Sequence, residues 1–233
     1  MNDTATPAAM PSHERYRAAM VEIKRRLRAI DRVLGAKKPR ALTAEFDNEF
    51  MWLQVRKIVE LVAFGGMMAD EARYAALRAE AKDSPNYRRD WKVGQILKRL
   101  AEITPHYLPK PLGQMLHLQD GTKHFEVGPE LETLERFVAI YELAGEHLHA
   151  PNPFDDEAAE PHRTQLEQSR ARLEVEARYL KDILWAHAKI GLAFEPGKDQ
   201  ARVPANPETA WIVSFGKSDD DQVSMALANA QTV

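Results

Sequence analysis

Four ionisable residues, Glu45, Glu49, Arg56 and Glu60, recur at spacings of 4, 7 and 4. Those spacings set them roughly on one face of a helix, with Arg56 and Glu60 placed to pair at i,i+4. If that face is buried, its charges must be paired, because an isolated buried charge is costly. The functional reading is a polar pocket gripping a phosphate or carboxylate. The plainer reading, which is favoured, is the solvated or inter-helix seam of a helix. A second group is Glu146-His147-Leu148-His149, followed by Asn152 in a Pro-rich loop. Glu146 and His149 converge at i,i+3, and a helix C-terminus favours a protonated His149. His149 is therefore a candidate acid/base, or a cap of the last helical turn. The candidate ligand pocket comprises Glu49, Arg56, Glu60, His149 and Asn152.

Metal chemistry finds little support. Ferritin-like di-metal sites need two Glu-x-x-His pairs, and this chain has the one. His147 and His149 diverge on a helix, and His106, His117 and His124 show no ligand spacing. The chain has no cysteine, which excludes disulfides, thiolate catalysis, Cys-ligated zinc and iron–sulfur clusters. It also lacks a Gly-rich phosphate loop, a G-x-S-x-G elbow, H-E-x-x-H and a Rossmann fingerprint. No metal and no cofactor are expected.

Basic residues gather at Lys24 to Arg28, at Lys37-Lys38-Pro39-Arg40, and at Arg88-Arg89 with Lys92, Lys98 and Arg99. Tyr87 and Trp91 interleave with the last group. That pattern suits a nucleic-acid patch with stacking aromatics. The favoured reading is a solvated helix face with Trp91 in the core, because 32 basic and 35 acidic residues leave a net charge of −3.

The elements that must position these residues are mostly helices. Apolar residues at Tyr16, Met20, Ile23, Leu27, Ile30 and Leu34 step by 4, 3, 4, 3 and 4, an amphipathic helix period. Lys24, Arg25, Arg26, Arg28 and Arg32 are assigned to its opposite face. Thr43 is an N-cap for a helix that is apolar nearly all round, from Phe46 to Met68, and so central and buried. Gly65-Gly66 lets another helix approach closely, or bends this one. A helix after Ser84-Pro85 buries Trp91, Ile96, Leu97, Leu100 and Ile103, and Pro105, Pro109 and Pro111 end it. Residues 115–127 carry a hairpin signal around Asp120-Gly121. Further helices are expected over Pro129–His149, with Leu131 facing in, and over His162–His187. Three strands then follow, at Ala188–Phe194, Ala210–Phe215 and Gln222–Leu227. The fold expected is α+β, mainly α. It comprises a polar arm over 1–11, a bundle of about five helices over 12–187, and a small antiparallel meander over 188–233 packed on it.

The N-terminus has no basic region followed by an apolar run, so no export signal is expected and the cytoplasm is the default compartment. The most apolar stretch, Ile58 to Met68, is too short to span a bilayer.

Two stretches carry a resemblance. One is Phe46-x-x-x-Phe50 through Leu53-Gln54-Val55-Arg56-Lys57-Ile58-Val59-Glu60-Leu61. The other is Tyr141-x-x-x-Gly145-x-x-Leu148-His149-Ala150-Pro151-Asn152-Pro153-Phe154. Together, over about residues 43–187, they resemble helix-rich bacterial and mobile-element proteins that are distantly similar to HEPN domains. Those are helical bundles, often dimeric, found in RNases and defence systems. The nuclease motif of that group is an Arg followed, after four to six residues, by a His. Arg99 to His106 matches it, but with Leu100 in place of the usual polar residue and with Pro105 inside it. The resemblance implies a homo-oligomer with a protein or RNA partner. Two functions follow. The preferred one is a non-enzymatic helical interaction or regulatory module. The other is a metal-independent ribonuclease with His106 or His149 as acid/base and Arg56 or Arg99 stabilising the phosphorane.

Overall fold

A computed structural model describes residues 12–80, 86–117, 119, 123–150, 154, 164, 166–190, 209–218 and 222–229. The fold is α+β and mainly helical. Helix α1 spans Ser12–Leu34, and its 4-3-4 stripe of Tyr16, Met20, Ile23, Leu27 and Ile30 is buried. Helix α2 spans Ala44–Ala69. The Thr43 side chain caps it by accepting from the Phe46 amide at 3.4 Å. The Asp47 carboxylate accepts from the amides of Arg40 and Ala41, at 2.9 and 2.7 Å, and so fixes the basic linker before α2.

Met51, Trp52, Val55, Ile58, Val59 and Val62 form the buried face of α2. Farther along, the two glycines admit neighbours on different sides. A Cβ on Gly66 would lie 2.7 Å from Leu100 Cδ1, and one on Gly65 would lie 3.2 Å from Tyr16 Cε2. These are close approaches of the kind the Gly-Gly pair suggested. Burial of α2 is not complete, however. Phe46, Phe50 and Leu53 are 45%, 41% and 40% exposed. The expectation of a wholly buried helix is corrected for its N-terminal half.

A turn at Asp70 leads into α3, Glu71–Ala79. A 3-10 turn at Tyr87–Arg89 precedes α4, Val93–Ile103. Ser84 and Pro85 lie outside the described residues. Helix α5 covers Leu134–Glu146, with Thr133 accepting from the Arg136 amide at 3.1 Å. It starts five residues later than expected, and Leu131 is exposed. Helix α6 covers Arg170–Leu184, after helical residues at 166–168. It ends before His187, which belongs to a strand.

The strands are β1 Lys110–His117, β2 Lys123–Val127, β3 Ala186–Ile190, β4 Thr209–Ser214 and β5 Ser224–Asn229. They make one antiparallel sheet in the order β2-β1-β3-β4-β5. The hairpin expected near 115–127 is present, with Leu116 opposite His124 and His117 opposite Lys123. It is not separate from the C-terminal meander. Pro111 pairs with His187 and Lys110 with Ala188, which joins the two into one sheet. β1 and β2 thus come from within the helical part of the chain, and β3 begins at Ala186.

The sheet shares the helical core, since Val213, Phe215 and Val223 pack in the same apolar cluster as α1, α2 and α6. Lys24 is part of this junction. It is buried, and its ammonium donates to the carbonyls of Phe215 and Ser218 at 2.5 and 3.0 Å. Its assignment to a solvated face is corrected. Among the described residues no helix is long and apolar enough to cross a membrane.

Candidate functional site

The stretches Phe46–Leu61 and Tyr141–His149 meet where α2 packs on α5. Arg56 is the pivot. Its Nη2 donates to Tyr141 Oη at 2.6 Å, and its guanidinium lies 4.1 Å from the centre of the Tyr141 ring. Arg56 Nε sits 3.5 Å from Glu60 Oε1, and Lys57 holds the other carboxylate oxygen at 2.8 Å. The expected i,i+4 pair is present, inside a network that crosses two helices. A Cβ on Gly145 would lie 2.7 Å from Arg56 Nη1, so glycine there makes room for the guanidinium.

Glu49 is partly buried on α2. His149 is exposed, and its amide closes the end of α5 by donating to the Gly145 carbonyl at 3.1 Å. This bond belongs to the backbone, and the His149 side chain is exposed. Asn152 lies outside the described residues. His147, not His149, is the inward histidine. Its ring stacks on Trp52 at 4.6 Å between centroids. The signal for this was its i+3 spacing from the buried Ala144.

Arg99 and His106 have different partners. Arg99 Nη1 donates to Asp90 Oδ2 at 3.1 Å. His106 follows α4, and its carbonyl accepts from the buried Lys189 at 2.6 Å. Burial, with the nearby Lys110 and Lys189, holds the His106 imidazole pKa below its ordinary value.

Asp90 is the hub of a second polar cluster, between α3, the 3-10 turn and α4. Besides Arg99 it holds Arg78, whose Nε is 2.8 Å from Oδ2, and Tyr74, whose hydroxyl donates at 2.9 Å. Burial first, and then the bond to Asp90, push the Tyr74 phenol up to about 12. The phenol therefore stays a donor. Arg78, Arg89, Asp90, Trp91, Lys92, Gln95 and Arg99 line a cavity of about 190 Å³. Trp91 is 66% exposed at it, not in the core.

The third polar group is structural. His187 is fully buried, with Nε2 3.0 Å from Tyr16 Oη and Nδ1 3.0 Å from the Leu184 carbonyl. Burial lowers its pKa to about 4. Lys189 is buried two residues farther along β3, and burial lowers its pKa to about 8 although Asp70 opposes the shift. Among the described residues no group of three or more His, Asp or Glu is arranged to hold a metal ion.

No family model matches the chain, and neither a curated protein nor a solved structure is similar to it at a significant level.

Proposed function

We propose that this protein is a non-enzymatic helical interaction module of the cytoplasm that works as a homodimer through the N-terminal half of α2. The observation that carries this reading is the exposed stripe Phe46, Phe50 and Leu53. Its i, i+4, i+7 spacing is that of a helix face packed on another helix. Leu42 extends it and is also exposed. Grouped apolar side chains of this size in water mark an interaction surface.

The charges around the stripe favour a second copy as the occupant. Glu49 lies beside the middle of the stripe, three residues after Phe46 and four before Leu53, and Lys57 continues its C-terminal end. In an antiparallel two-fold pairing centred between Phe50 and Leu53, Lys57 of each copy comes opposite Phe46 of the other, about one helical turn from Glu49. A two-fold interface needs this kind of self-complementary patch. The engagement of Arg56 by Tyr141 and Glu60, and of Arg99 by Asp90, also supports structural roles for the two arginines considered for catalysis.

Light scattering on the purified protein tests the reading. A dimeric mass is expected, and a monomer at every concentration would refute it. Incubation with a mixed RNA pool, beside His106→Ala and His149→Ala, tests the enzymatic alternative. Intact RNA is expected. Cleavage by the wild type that either variant abolishes would replace this reading with a ribonuclease.

A further inference from the structure

The cavity around Asp90 shares no residue with the α2 stripe. Four cationic side chains, Arg78, Arg89, Lys92 and Arg99, face one carboxylate there. Asp90 is already held by Arg78, Arg99 and Tyr74. Arg89 and Lys92 are exposed and have no ion-pair partner among the described residues. Among the described residues that line the cavity, Arg89 and Lys92 are therefore the cations left to meet an anion, and the acid, Asp90, is engaged.

The start of α4 adds to this field. Its first turn contains no acidic residue, and Lys92 at the N-cap makes no side-chain cap. α1, α2, α3 and α5 each carry an acid in the first turn, whereas α4 and α6 do not. A helix N-terminus carries partial positive charge and favours an anion. At α4 the chain supplies none.

Size and the tryptophan narrow the anion. A cavity of about 190 Å³ is below the roughly 300 Å³ at which pockets begin to enclose a drug-sized ligand. It admits a phosphate-sized group and leaves the remainder of a ligand outside. There Trp91 presents a flat apolar ring among cations. A simple carboxylate would satisfy the cations and leave that ring in water. A base joined to the phosphate would cover it.

We propose that this cavity is a nucleotide site. Arg89 and Lys92 receive the phosphate, and Trp91 stacks on the base. The nucleotide is either a free mononucleotide or a unit of a single strand, since both present the same chemistry.

The test is fluorescence anisotropy with a short labelled oligouridylate at low salt, with uridine monophosphate and inorganic phosphate as competitors. Trp91→Ala should weaken oligonucleotide binding by about 5- to 100-fold, the range of one base–aromatic stack. Trp91→Phe should keep most of the affinity. Lys92→Glu and added salt should both weaken binding. Trp91, Arg89 and Lys92 are exposed, so these variants should unfold at the wild-type temperature. Competition by the monophosphate as strong, per nucleotide, as by unlabelled oligonucleotide identifies a free nucleotide. Weaker competition identifies a strand.

Absence of binding at low salt would overturn the proposal, as would equal affinity of Trp91→Ala and wild type. Competition by inorganic phosphate with no dependence on residue 91 would make this a plain anion site and would also overturn it. Phe50→Glu should bind the oligonucleotide like the wild type, so failure of the dimer reading leaves this test intact.

Discussion

The Arg56 guanidinium occupies the space that a side chain on residue 145 would need. A Cβ there would lie 2.7 Å from Nη1, while Nη2 is held 2.6 Å from the Tyr141 hydroxyl. Arg56 cannot yield without leaving Tyr141 or Glu60. Gly145→Ala should therefore destabilise the protein by about 1–3 kcal/mol, the range for inserting a methyl into a packed site. In an Arg56→Ala background the same substitution should cost far less, because the obstructing group is gone. Urea unfolding of the four proteins measures the coupling. Equal costs in both backgrounds would mean that the two residues do not interact.

His187 sets an acid limit. Its pKa is about 4 in the folded protein and 6.5 in the ordinary state. The unfolded chain binds the proton first, so the contribution of the neutral ring is complete above pH 6.5. It is lost as pH falls towards 4. The full difference is worth about 3 kcal/mol. Denaturant midpoints should fall through that window in the wild type and fall less in His187→Gln. Lys189 has a consequence of the same sign at the alkaline end. Its folded pKa is about 8 against 10.5, so its contribution rises as pH climbs between those values.

Lys24 ties α1 to the chain beyond β4. Lys24→Met keeps the aliphatic stem but leaves the carbonyls of Phe215 and Ser218 without their ammonium donor. Loss of a buried partner costs about 1–3 kcal/mol. Amide exchange in β4 and β5 should accelerate more than exchange in α2. Uniform acceleration along the chain would argue against a local tie.

Local periodicity made much of this fold legible, and particular residues show where it stopped. The 4-3 steps of α1 identify its buried face because that face packs along its whole length. Trp91 was misplaced because it lies five residues before Ile96, off the i−3 and i−4 rows. Val93 is on those rows and is buried. Lys24 stands on the apolar row of α1, four after Met20 and three before Leu27. Only the carbonyls of Phe215 and Ser218, some 190 residues away, explain its burial. The pairing of Arg56 with Glu60 follows from i,i+4 spacing, whereas its contact with Tyr141 depends on how α2 meets α5. The register that joins Pro111 to His187 is likewise a long-range result. Neither hairpin nor meander signals it.

In the proposed dimer two copies associate through α2. Sedimentation equilibrium over a wide concentration range, on the wild type and on Phe50→Glu, tests it most directly. Phe50 is 41% exposed, so the substitution should leave the monomer folded while placing a buried charge at the centre of the pairing. A dimer is expected for the wild type and a folded monomer for the variant. A wild-type monomer, or a dimer unaffected by Phe50→Glu, would contradict it.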